Sequence, residues 1–198
     1  GARTAESQTH RQMASGLSMP VGIKNTTAGE IQPAINAIRA ASRSQTFLGI
    51  NQEGRASAVT TTGNPNGHVI LRGGTSGPNH DPASIRQTKA DLLDAGLIPA
   101  ILVDCSHANS RKDPSLQPGV FRSILDQVLA GDSSVIGTML ESNLAAGNQP
   151  FPQPPGDLLP GVSITDACIG WDETADLLRA AAESLRPVIS QQPTHRNP

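Results

Sequence analysis

The sequence contains no tyrosine, and aromatic residues make up only 2% of its 198 positions: one Trp and three Phe. A core without large rings falls to Ala, Ile, Leu and Val, which suit tight layers of helix on strand. Base-stacking platforms for single-stranded nucleic acid need the aromatics that are missing. Charge of one sign is also lacking. A net charge of -2 gives no global basic surface and excludes a nucleic-acid binder of that kind. Two cysteines supply no disulfide framework, so a reducing, cytoplasmic setting is expected. No apolar run approaches the roughly 20 residues of a membrane-spanning helix, and no signal-peptide pattern is visible. An initiator methionine is missing as well. The chain starts at Gly1, and GARTAESQTH reads as a strand end passing into a helix. A partial sequence is therefore expected, long enough for one domain with a real core.

What is present alternates between strand and helix. Glu6 to Leu17 reads as a short helix with Met13 and Leu17 on its apolar face. Val21–Ile23 is a brief strand ending on Lys24. A helix from Gly29 to Ser42 carries Ile31, Ile35, Ile38 and Ala41 on one side, with Pro33 tolerable only in its first turn. Phe47–Ile50 and Ala56–Thr61 flank Glu53-Gly54 and read as an inserted hairpin. HVILRGG is a strand whose polar end carries Arg72. Asp81-Pro82 starts a helix through Ile85, Leu92 and Leu93 that stops near Gly96.

Ile101–Val103 is a buried strand running into Asp104, Cys105, Ser106, His107 and Asn109. A helix through Val120, Ile124, Val128 and Leu129 closes at Gly131. Two further strand ends follow: Val135–Met139 leading to Glu141, and VSITDACIGW with Asp166. Residues 146–161, rich in Pro and Gly, read equally as a binding loop or as a surface insertion. The last helix, Asp172 to Val188, places Leu177, Leu178, Ala181 and Leu185 inward. One domain over 1–190 and a disordered tail over 191–198 are expected.

Strand–helix alternation means a parallel sheet with crossover helices, and polar residues at the strand ends predict a TIM-barrel rim. Two chemical sets share that rim. Arg3, Lys24 and Arg72 are cations on three elements that suit a small anion carrying phosphate and carboxylate. His107, Glu141 and Asp166 offer an imidazole and two carboxylates, a donor set for Mn, Fe or Zn. Taken singly, each cation reads more readily as a surface charge or a structural ion-pair partner than as an anion ligand. The second set reads equally as a hydrogen-bonded histidine with two solvated carboxylates. Cys105 and Cys168 read as small buried hydrophobes.

GARTAESQ, PVGIKN, HVILRGG, DCSHANS, GTMLESNL with GNQ after it, and SITDACIGW together resemble the type I DAHP synthases, the phospho-2-dehydro-3-deoxyheptonate aldolases. The resemblance runs from Gly1 to the final helix. It implies an α/β TIM (β/α)8 barrel, of which this chain supplies roughly the C-terminal five strands plus the inserted hairpin. The activity implied is condensation of phosphoenolpyruvate with D-erythrose 4-phosphate and water to 3-deoxy-D-arabino-heptulosonate 7-phosphate and phosphate, which opens the shikimate pathway to aromatic amino acids. It needs a divalent metal (Mn, Fe, Co or Zn) and implies a homo-oligomeric parent.

Arg3, Lys24 and Arg72 fall on the family's phosphoenolpyruvate-binding positions. His107, Glu141 and Asp166 fall on three of its four metal ligands, and Lys24 and His107 are the expected catalytic pair. The family's first half carries the fourth ligand, a cysteine, and a Lys-Pro-Arg-Thr run; neither occurs here. A complete barrel takes about 250 residues, so this chain alone is expected to be inactive. Two alternatives are a 3-deoxy-octulosonate 8-phosphate synthase-like enzyme and a non-catalytic half-barrel that binds a partner chain.

Overall fold

The computed structural model describes residues 3–5 and 7–191, without the side chains of Arg3, Thr4 and residues 189–191. Five strands form one parallel sheet in the order β1-β2-β5-β6-β7. They are β1 (Arg3–Thr4), β2 (Val21–Lys24), β5 (Gly67–Leu71), β6 (Ile101–Asp104) and β7 (Val135–Met139). Because they run parallel, their C-terminal ends share one edge, where Lys24, Arg72 and Asp104 follow one another across the sheet. The apolar central strand is buried without alternation, as strands covered on both faces are: Val69, Ile70 and Leu71 are consecutive and all buried, as are Ile101 and Val103 beside them.

Helices α1 (Gln8–Ser15), α2 (Gln32–Ala41), α3 (Pro82–Asp94), α4 (Gln117–Leu129) and α5 (Trp171–Gln191) complete the alternation. Pro33 does lie in the first turn of α2, whose Ala34, Ile35, Ala37, Ile38 and Ala41 face the core. Asp81 caps α3 by accepting from the backbone N–H groups of Ala83 and Ser84. The hairpin is a separate two-stranded sheet, β3 (Thr46–Ile50) with β4 (Ala56–Thr60), turned by Asn51, whose Oδ1 accepts from the N–H groups of Glu53 and Arg55. Among the described residues, no helix is long and apolar enough to cross a membrane.

Some expectations fail, for identifiable reasons. Helix α1 buries Ala14 and Ser15, not Met13 and Leu17, which are exposed. Small residues let it approach closely, and the Ser15 hydroxyl meets Thr61 Oγ1 at 2.9 Å. Leu93 and Leu178 also face outward; one-sided burial of their helices selects Leu92 and Leu177 instead. VSITDACIGW forms no strand. Its residues make only isolated bridges, Ser142 with Ile169, Gly147 with Cys168 and Asn148 with Ser163, because no neighbour runs beside it for more than one residue pair at a time. Gln191 is the last residue of α5, and the rest of the expected tail lies outside the described residues.

Candidate active site

The rim has a buried half and an exposed half. In the buried half, Lys24 at the end of β2 reaches Asp104 at the end of β6, with Nζ donating to Oδ2 over 2.6 Å. That oxygen also lies 2.9 Å from His107 Nδ1. The approach is close but misaligned, so Nδ1 remains buried without a hydrogen-bond partner. Asp104 Oδ1 accepts from the Ser106 N–H at 2.9 Å. Burial pushes the Asp104 carboxyl upward, but His107 and then Lys24 outweigh it and hold it at about 2.

His107 takes a φ of 53°, in the left-handed region that non-glycine residues rarely enter. The turn that imposes it is closed by Lys112 N–H donating to His107 O at 2.7 Å. Arg111 and Lys112 share the same backbone region, at 53° and 62°. Such local strain persists where the surroundings over-determine it, here to aim one ring.

In the exposed half, Glu141 follows β7. Its backbone is gripped on both sides by Gln117 at the start of α4, which accepts from the Glu141 N–H at 2.8 Å and donates to its carbonyl at 3.1 Å. Gln117 is fully buried. Asp166 lies on the irregular segment beyond, its side chain 72% exposed. Gln149 braces that segment: its amide donates to the carbonyls of Leu159 and Val162 and accepts from the Leu159 N–H. The Pro/Gly-rich loop is thus pinned from inside and supports Asp166.

His107, Glu141 and Asp166 each bring one ligand atom within 4.8 Å of the other two. Nδ1 of His107 is 3.8 Å from Glu141 Oε1, and Nε2 is 3.9 Å from Asp166 Oδ2. An imidazole edge flanked by two carboxylates, with Nε2 open toward Asp166 and Glu141 beside the ring, is a donor set that fits a divalent transition metal. The cleft they line with Ser106, Ser110 and Lys112 has a volume of about 40 Å³, room for an ion and a water molecule. Neither cysteine joins the set. Burial, and then the Asp104 charge, push the Cys105 thiol up to about 12, and burial raises that of Cys168.

Arg72 lines a second, open cleft of about 600 Å³ with Thr27, Thr75, Ala108, Arg111 and Lys112. That volume suits a small organic ligand, and Lys112 lines both clefts. Three asparagines tie the rim together. Asn25 Oδ1 accepts from the Arg72 N–H at 2.8 Å and from Asn79 Nδ2 at 3.3 Å. Asn79 Oδ1 accepts from the Gly73 N–H. Asn109 Oδ1 accepts from the Asn79 N–H, and its amide donates to the carbonyls of Leu71 and Asp104.

The structure therefore brings together His107, Glu141 and Asp166, and joins Lys24 to them through Asp104. Arg72 stands on the same edge, at the neighbouring cleft. Arg3 lies in β1, paired with Ile23, but its side chain is outside the described set. Asp104, Gln117, Arg111 and Lys112 were not foreseen in these positions. Only Asp104 had a readable signal, as a charged residue at the end of a wholly apolar strand.

Comparison with known proteins identifies a family. Residues 1–179 match the DAHP synthetase I family. The Tyr-sensitive phospho-2-dehydro-3-deoxyheptonate aldolase of Enterobacter agglomerans is 54% identical over 190 residues, covering 96% of this chain and 89% of that protein. The Tyr-sensitive enzyme of Escherichia coli K12 is also 54% identical, over 185 residues that cover 93% of this chain but 52% of the relative. The phospho-2-dehydro-3-deoxyheptonate aldolase of Francisella tularensis superposes with a TM-score of 0.88 at 41% identity, over 94% of this chain and 55% of that structure. This chain spans about half the length of the latter two proteins. On sequence and fold alike, it belongs to the DAHP synthetase I family.

Proposed function

We propose that this chain forms the C-terminal five strands of a TIM barrel that condenses phosphoenolpyruvate with D-erythrose 4-phosphate and water, giving 3-deoxy-D-arabino-heptulosonate 7-phosphate and phosphate. The observation that carries the reading is the meeting of His107, Glu141 and Asp166 within 4.8 Å on the edge that also presents Lys24 and Arg72. Family membership supplies the reaction class, and the site supplies its parts.

Lys24 and Arg72, with Arg3 beside them in the sheet order, bind the phosphate and carboxylate of phosphoenolpyruvate. Arg72 offers a guanidinium fork for bidentate contact, and Lys24 a point charge held in place by Asp104. His107, Glu141 and Asp166 would hold the divalent metal, Mn, Fe, Co or Zn. When bound, that ion polarises the aldehyde oxygen of erythrose 4-phosphate. C3 of phosphoenolpyruvate bonds to the aldehyde carbon, water adds at C2, and the bond from C2 to the phosphate oxygen breaks. The cations meet the charge where it grows, on the departing phosphate, and need no rearrangement because β2 and the loop after β5 already fix them.

The test is metal-dependent phosphate release from phosphoenolpyruvate by the complete polypeptide containing this sequence, with erythrose 4-phosphate or arabinose 5-phosphate as acceptor. Release that requires Mn²⁺ and prefers the four-carbon aldose is expected. Preference for the five-carbon aldose, or no release with either, would overturn the reading.

A further inference from the structure

Asp104 belongs to neither chemical set, yet it touches both. Its side chain is 2% exposed. Oδ2 accepts from Lys24 Nζ at 2.6 Å and touches His107 Nδ1 at 2.9 Å without alignment, and Oδ1 accepts from the Ser106 N–H at 2.9 Å. Its backbone is no freer. β6 pairs it with Met139, and its carbonyl accepts from Asn109 Nδ2 at 2.8 Å. The carboxylate therefore cannot turn into line with His107 Nδ1 without loosening its hold on Lys24.

We propose that Asp104 is a positioning residue that couples the anion-binding lysine to the metal-binding histidine through one shared oxygen. This deepens the proposed function and rests on it. Facing Nδ1, the carboxylate orients the imidazole and leaves Nε2, 3.9 Å from Asp166 Oδ2, as the free ligand atom. A carboxylate behind a ligating histidine sets ring orientation and strengthens the ligand. Here the same oxygen also carries Lys24, so whatever shifts the lysine alters the support of the histidine. Lys24 thereby influences metal binding without being a ligand. Asp104 touches neither substrate nor metal and acts only through these two neighbours.

The experiment is titration of MnCl2 into the complete polypeptide, followed by the signal of free Mn²⁺, for the unsubstituted protein, Asp104→Asn, Lys24→Gln and the double variant. Asp104→Asn is expected to weaken Mn²⁺ binding by about 10–100-fold. Lys24→Gln is expected to tighten it by about threefold or more, because Oδ2 is then left to His107 alone. In the Asp104→Asn background, the Lys24→Gln effect should shrink to less than about twofold, the non-additivity of groups that share a partner. Unchanged Mn²⁺ affinity in Asp104→Asn, with only a lowered melting temperature, would overturn the inference, as would an equal Lys24→Gln effect in both backgrounds. Should Asp104→Asn fail to fold, Lys24→Gln alone decides, and unaltered Mn²⁺ affinity there overturns the coupling. Failure of the unsubstituted protein to bind Mn²⁺ would overturn the metal reading and this inference together.

Discussion

The two halves of the rim solve one problem by different means. Asp104 ends a strand with neighbours on both sides, and His107 follows it directly in a turn closed by the Lys112 N–H. Glu141 and Asp166 stand at and beyond the last strand of the sheet, where no further strand supports them among the described residues. There, side-chain amides replace the missing ladder: Gln117 grips Glu141, and Gln149 braces the segment that carries Asp166. In the interior, carboxamides such as Asn109 add to a strand ladder; at the edge, Gln117 and Gln149 act where the ladder has ended.

Substitutions can break that comparison or sharpen it. The largest effect is expected from His107→Ala, which removes the one ligand drawn from the buried half. Mn²⁺ affinity should fall by more than the roughly 100-fold limit typical of supporting residues, as read by calorimetric titration. Next is Gln117→Leu, which strands the N–H of Glu141 beside a fully buried site, while its carbonyl keeps the Ile169 N–H. A loss of about 1–3 kcal/mol per stranded group should appear in denaturant unfolding, together with weaker Mn²⁺ binding. Unfolding without any change in metal affinity would mean that the clamp does not place Glu141.

The buried half should also carry an acid signature. Asp104 is held at about 2 against an ordinary 3.8, so its stabilisation is present in full above about pH 4 and fades as pH falls through about 2. The amount is about 2 kcal/mol. Stability measured against pH should lose part of its acid limb in Asp104→Asn. The smallest effect on stability belongs to Asp166→Asn at the exposed end, within about 0.5 kcal/mol, even as Mn²⁺ binding weakens. A large stability change there would make Asp166 structural and blur the contrast.

Much of this arrangement was legible in the sequence. Strands β2, β5, β6 and β7 announced themselves as short apolar runs ending on polar residues, and Asp81-Pro82 marked a helix start that the structure keeps. The motifs around Lys24, Arg72, His107, Glu141 and Asp166 carried the site. Less visible were residues whose role depends on what lies across the fold. Gln117 and Gln149 look in sequence like any solvated glutamine, and only tertiary packing makes them clamps. Met13 and Leu17 have helical spacing, but periodicity cannot say which neighbour a short helix will meet, and here α1 turns its small residues inward. The segment around Asp166 is rich in β-branched and apolar residues, yet a strand needs a partner along its whole length, and this one has partners only at single points.

The chain of Asn25, Asn79 and Asn109 has a consequence for how the rim can change. Asn25 and Asn109 bond backbone of the strand and loop between them, and Asn79 braces that loop and meets Asn25, so the loops bearing Lys24, Arg72 and His107 behave as one mechanical part. None can be exchanged for a loop of another length or shape while the other two keep their places. A graft at this edge must carry all three loops, or carry none.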